Sequence, residues 1–171
     1  MGRPVDSSHL AHPSKIQSVA TAPDRKICDT ILDAIGNTPM VRIHNITRGV
    51  IDAEVLVKLE TFNPGNSIKD RMAVRMIEDA EREGKLKPGG TIIEGTSGNT
   101  GMGLAMYAAA RGYSLVCVLP EKMSLDKRQA LAAAGARVVI TANAPPSSPD
   151  NFRNVAARMA EENGWFLTDQ F

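Results

Sequence analysis

The chain has 171 residues, 43% of them hydrophobic, enough for one domain with a sizeable core. Its net charge is +1 and aromatic residues make up only 4%, so neither a basic field nor a stacking platform points to nucleic acid. No apolar run reaches membrane-spanning length and no apolar block opens the chain as a secretory signal does, which reads as a cytoplasmic protein with no membrane partner.

Residues 1–28 are rich in Pro and Ser without a period, and read as a mobile tail. A short helical stretch is expected from Thr30 to Ile35, then a turn at Gly36 and Asn37. The runs "MVRIHNI" (40–46) and "AEVLVKLE" (53–60) alternate apolar and polar residues, the pattern of a β-hairpin. From Asn63 onward helix and strand alternate. Residues 67–86 read as a helix with Ser67 as cap, Asp70 as a loose capping-box partner, and Ile68, Met72, Met76, Ile77 and Ala80 on its apolar face. A strand follows at 91–97, an Ala-rich helix at 98–112 ending at Gly112, and an apolar strand at 113–120. A helix at 124–135, capped by Ser124, then a strand at 136–141, a helix at 151–164 and a strand at 165–171 complete the series. Strand–helix–strand repetition at this spacing means a parallel sheet flanked by helices. The hairpin has no evident partner sheet and the last strand stops abruptly at Phe171, so the chain reads as the first part of something larger, and of poor solubility alone.

Two stretches can carry chemistry. In "EGTSGNTGMG" (94–103) a strand ends at Glu94, and Thr96, Ser97, Asn99 and Thr100 surround Gly98 where a helix begins. Exposed N–H groups, hydroxyls and an amide converge on the positive end of that helix, which favours an anion. The loop also lies at the carboxyl end of a strand in an open parallel sheet, where ligands bind. A plain helix cap needs fewer polar side chains. A nucleotide-phosphate loop is the weaker alternative, because the G-x-G-x-x-G order and a Walker lysine are both missing. In "NPGNSIKDR" (63–71), Lys69 sits in the first turn of a helix. The dipole there and a low-dielectric cleft both favour the neutral amine, the form that attacks a carbonyl. On spacing alone, a solvated lysine balanced by Asp70 is the simpler reading. His9, His12, His44, Cys28 and Cys117 share no metal-ligand spacing, and the "EDAEREGK" run (78–85) reads as a solvated helix face.

Taken together, "NPGNSIKDR" followed by "EGTSGNTG" resembles the β-family of pyridoxal-phosphate enzymes, fold type II, and most specifically the cystathionine β-synthases and cysteine synthases. "GNTPMVRI", "MIEDAEREGKLKPGGTIIE", "LPEKMS" and "GARVVIT" extend the likeness over residues 29–171. The resemblance implies that Lys69 holds pyridoxal 5'-phosphate as a Schiff base and later acts as acid and base at the substrate Cα. It implies that Asn99 bonds the cofactor's ring oxygen, and that Thr96, Ser97, Gly98, Asn99, Thr100 and Gln170 grip the α-carboxylate of an amino acid. The implied reaction is β-replacement: serine with homocysteine to give cystathionine, or O-acetylserine with sulfide to give cysteine. The "PEKMS" and "PPSSPDNFRNVA" stretches favour the cystathionine branch. No cysteine precedes "GRP", so haem is not expected. The family's organisation implies that residues 29–61 contribute a helix and hairpin to a large domain and that 62–171 form the small α/β domain. The remaining large domain, with its phosphate-holding loop, would follow residue 171, and the full-length protein is expected to be a homodimer. A fragment of a full enzyme, one half of a split enzyme and a non-catalytic remnant are the three forms such a chain could take.

Overall fold

The computed structural model describes residues 27–96 and 98–170. Most of the tail assigned to 1–28, together with Ser97 and Phe171, lies outside the described residues. Six strands and four α-helices follow in order: β1 (Met40–Ile43), β2 (Val55–Lys58), α1 (Lys69–Arg82), β3 (Thr91–Gly95), α2 (Asn99–Arg111), β4 (Ser114–Pro120), α3 (Leu125–Ala133), β5 (Arg137–Thr141), α4 (Phe152–Asn163) and β6 (Phe166–Leu167).

β5, β4, β3 and β6 form a parallel four-stranded sheet in that spatial order. Its two faces are both covered, which explains why β3 and β4 are apolar at consecutive positions rather than at alternate ones. Ile92, Leu115, Cys117 and Leu119 point to one side and pack with Ala73 and Ile77 of α1, Leu104 of α2 and Leu131 of α3. Ile93, Val116 and Val118 point to the other side and meet Ala156 and Ala160 of α4. β1 and β2 pair antiparallel as a separate two-stranded sheet, from Met40 opposite Lys58 to Ile43 opposite Val55.

Several element ends differ from the sequence reading. The helical stretch at 30–35 is a 3-10 helix, Ile31–Ala34, whose capping box joins Thr30 and Asp33. The hairpin strands are shorter than expected, four residues each. The last strand has two residues, not seven, because its chain turns out of the sheet at Asp169, a non-glycine residue with φ of +49°. Ser124 makes no side-chain cap. Ser67 lies one position before the formal cap, Ile68, but its Oγ accepts the Lys69 N–H at 3.1 Å. The buried stripe of α1 is Asp70, Ala73, Ile77 and Ala80, whereas Ile68 is 54% exposed. Small residues occupy the stripe because α1 lies very close to α2: a Cβ on Gly103 would stand 3.0 Å from the Ala73 Cβ and 3.1 Å from the Lys69 carbonyl oxygen.

No helix among the described residues is long and apolar enough to cross a membrane.

Candidate functional site

From β3 the chain steps through α2 to β4 and through α3 to β5, always to one side; α4 then carries it back across the sheet to β6, on the other side of β3. The direction of winding therefore reverses at β3, and the loops leaving β3 and β6 diverge at the carboxyl edge. Such a switch point opens a crevice for a ligand. Residues 96–100 leave β3 there and residues 168–170 leave β6 there.

Thr96 is 1% exposed. Its Oγ1 accepts the N–H groups of Gly98 at 3.1 Å and Gly101 at 3.2 Å, so it caps α2 from two residues before Gly98. Gly98 has φ of +136°, a conformation that a side chain would strain. The N–H groups of Asn99 and Thr100 then open the helix with no hydrogen-bond partner among the described residues. Thr100 is buried, and its hydroxyl donates to the Gln170 Oε1. The loop and the segment after β6 thus meet at a threonine and a glutamine 70 positions apart in sequence. Asn99 is exposed, and Ser97 lies outside the described residues.

Lys69 begins α1 as Asn99 begins α2. Gly103, one turn beyond Asn99 on the same face, lies against the Lys69 backbone and brings the two helix starts together. The Lys69 amine makes no hydrogen bond or ion pair with any described residue. A primary amine with no partner among the described residues, on a helix whose first turn packs against α2, whose opening N–H groups likewise have none there, suits a ligand that presents a carbonyl together with an anionic group.

Three residues here make contacts that the sequence reading did not give. Asp70 is fully buried. Its Oδ2 accepts the Gly65 N–H at 2.5 Å, its Oδ1 has no partner among the described residues, and burial pushes its carboxyl above the usual range. It anchors the turn before Lys69 rather than balancing the Lys69 charge. Glu94, 1% exposed, takes a hydrogen bond from the Thr168 hydroxyl, and burial raises its carboxyl too. A charged residue ending an apolar strand was its available signal. Lys127 lays its side chain over Gly98, with Cδ 3.5 Å from where a Cβ would stand and Nζ at 4.0 Å. An exposed lysine in the first turn of a helix gives no warning of that.

Comparison with known proteins agrees with this architecture. A family model described as "Pyridoxal-phosphate dependent enzyme" matches residues 31–171. The chain is 52% identical over 165 residues to a cystathionine beta-synthase of Oryctolagus cuniculus, a match spanning 95% of this chain and 29% of that protein. It is 48% identical over 147 residues to a cysteine synthase of Staphylococcus aureus (strain Mu50), spanning 86% of this chain and 46% of that protein. A crystal structure of O-ureido-L-serine synthase superposes with a TM-score of 0.76 at 44% identity, over 85% of this chain and 45% of the other. The chain spans less than half the length of each of these relatives. The family match takes in the whole four-stranded sheet, Lys69 and the 96–100 loop, and by it the chain belongs to the family of pyridoxal-phosphate-dependent enzymes.

Proposed function

We propose that this chain carries the catalytic lysine and the carboxylate-binding loop of a β-replacement enzyme that joins serine to homocysteine to form cystathionine. The observation that carries the reading is the approach of two helix starts: Lys69 and the 96–100 loop are brought together across Gly103, and Gln170 closes on Thr100. The residues fit the cofactor, since the helix that Lys69 opens packs at its first turn against α2, and neither the Lys69 amine nor the opening N–H groups of α2 have a partner among the described residues. Lys69 would hold pyridoxal phosphate and Asn99 would bond its ring hydroxyl oxygen. Once bound, the cofactor supplies an electron sink that makes the substrate Cα–H acidic.

The remaining work falls to side chains and backbone of this chain. The Asn99 and Thr100 N–H groups and the Gln170 side-chain NH2, whose Oε1 is held by the Thr100 hydroxyl, receive the α-carboxylate of serine at the positive end of α2. Thr96, with its lone pairs turned to Gly98 and Gly101, keeps its hydroxyl proton to offer. Fixing the carboxylate there orients the Cα–H toward the Lys69 side. Lys69 takes that proton before the hydroxyl leaves and returns one after the thiol has added. The choice of serine and homocysteine is supported by the 52% identity to the cystathionine beta-synthase of Oryctolagus cuniculus. Sulfide with O-acetylserine is the second reading, supported by the 48% identity to a cysteine synthase.

A cofactor trap tests the lysine assignment. The purified chain is mixed with pyridoxal phosphate, reduced with borohydride and mapped by peptide mass, with Lys69→Ala as control. A single adduct on the Lys69 peptide, lost in the control, is expected. Adducts spread over surface lysines and unchanged by the control would sink the assignment.

A further inference from the structure

We propose that Glu94 is a positioning residue for the carboxylate pocket: it ties the Thr168–Gln170 segment to the end of β3 and so holds Gln170 against Thr100. The consequence for substrate rests on the carboxylate reading of the loop given above.

The argument begins with how little else holds that segment. The β3–β6 ladder has two pairs, Ile92 with Phe166 and Ile93 with Leu167. The next pair in register would be Glu94 with Thr168. There the Thr168 N–H still donates to the Ile93 carbonyl at 3.2 Å, but the chain then leaves the sheet. Where the ladder stops, the Glu94 side chain takes over and accepts the Thr168 hydroxyl. Both residues are buried, Glu94 within β3 and Thr168 one position beyond the end of β6. Asp169 follows in the left-handed region, a conformation that surrounding structure must hold in place. That turn brings Gln170 back to the Thr100 hydroxyl. Glu94 and Thr100 therefore grip the two ends of one three-residue segment.

The electrostatics agree with a load on this carboxyl. Burial raises Glu94 above its ordinary range, while the Thr168 hydroxyl and the backbone N–H groups of Gln170 and Asp169 favour its ionised form; the Asp169 charge opposes it. A buried carboxyl at the mouth of an otherwise apolar strand is costly, and a group held there needs a compensating set of donors. The 168–170 segment provides that set.

The test compares wild type, Glu94→Ala and Glu94→Gln in two measurements. The first is amide hydrogen exchange by NMR on the 171-residue chain without cofactor. Loss of one hydrogen-bonded anchor in E94A is expected to speed exchange at Asp169 and Gln170 by about tenfold or more, while Ile93 and Val116 keep their protection. E94Q, which keeps the shape and one acceptor oxygen, is expected to recover part of that protection. The second is binding of L-serine and of L-serine amide to the chain loaded with pyridoxal phosphate, followed by cofactor absorbance. E94A is expected to weaken L-serine by about tenfold and leave the amide unchanged, with the Lys69 adduct yield unaltered. Unchanged exchange at 169–170 overturns the proposal, as does acceleration spread evenly over the sheet in both variants, which would make Glu94 a general support of β3. If E94A does not fold, E94Q alone decides, by the same contrast between 169–170 and the central strands. Wild type binding serine and its amide alike would overturn the carboxylate reading of the loop, and the exchange measurement would still decide the tether.

Discussion

The Thr96 hydroxyl accepts two N–H groups, from Gly98 and Gly101, at a position that is 1% exposed. Thr96→Val keeps the shape and leaves both donors buried without a partner, so it is expected to cost about 2 kcal/mol in urea unfolding. Thr96→Ser, which keeps the oxygen, is expected to restore most of that; equal loss in both variants would show that the methyl group matters more than the cap. At this scale the sequence was a good guide to where helices start and a poor guide to what each residue touches. Lys69 opens α1 and Asn99 opens α2, close to the starts that the strings around them suggested. Asp70 and Glu94 were hidden for a common reason: each bonds a partner outside its own helix or strand, Gly65 in one case and Thr168 in the other. Nothing in a local string announces such a partner. Cys117, in the apolar strand β4, is fully buried, and that burial pushes its thiol up to about 12.

The contact between α1 and α2 depends on a missing side chain. Gly103→Ala would gain about 1 kcal/mol of helix propensity. It would also place a Cβ 3.0–3.2 Å from Ala73, Lys69 and Asp70 atoms, tighter than most real contacts. Overpacking of that kind costs about 1–3 kcal/mol, so a net loss of stability is expected, together with a lower yield of the Lys69 adduct as the two helix starts separate. A variant as stable as wild type and as reactive would mean that the helices part without consequence. The helices themselves were legible from apolar spacing and from their stops at Gly112 and Gly164, both left-handed as C-terminal glycines usually are. The face of α1 was legible in part. Spacing picked out Ile77 and Ala80, which are buried, but also favoured the large residues Ile68, Met72 and Met76, whereas close approach of two backbones selects Ala73 and Gly103, and only the fold reveals that approach.

Across the whole molecule, a set of polar contacts joins the turn before β1 to the loop before α1. Arg71 binds Glu60 through Nε at 2.9 Å and through Nη2 at 3.2 Å; Thr38 donates to Glu60 at 2.8 Å, and Asn63 accepts the Gly36 N–H at 2.9 Å. Arg71, followed by Thr38, holds the Glu60 carboxyl down from 4.5 to about 2. A lowered folded value means that the stabilisation is complete above the unfolded value and is lost as pH falls through the folded one. Melting temperature is therefore expected to drop between pH 4.5 and about 2 more steeply in wild type than in Glu60→Gln; parallel acid limbs would remove Glu60 from the account. The parallel sheet flanked by helices was legible from the strand–helix repeat, but its strand order, β5-β4-β3-β6, was not, because periodicity says nothing about neighbours. That order has a temporal side. During synthesis the β3–β4–β5 ladder can form once residues 91–141 have emerged, from contacts between consecutive elements. Gln170 reaches Thr100 only after α4 has crossed back and β6 has joined the exposed edge of β3. Between those moments β3 is an edge strand with its anion loop open on one side, so a nascent chain passes through a stage in which the sheet exists and the pocket does not.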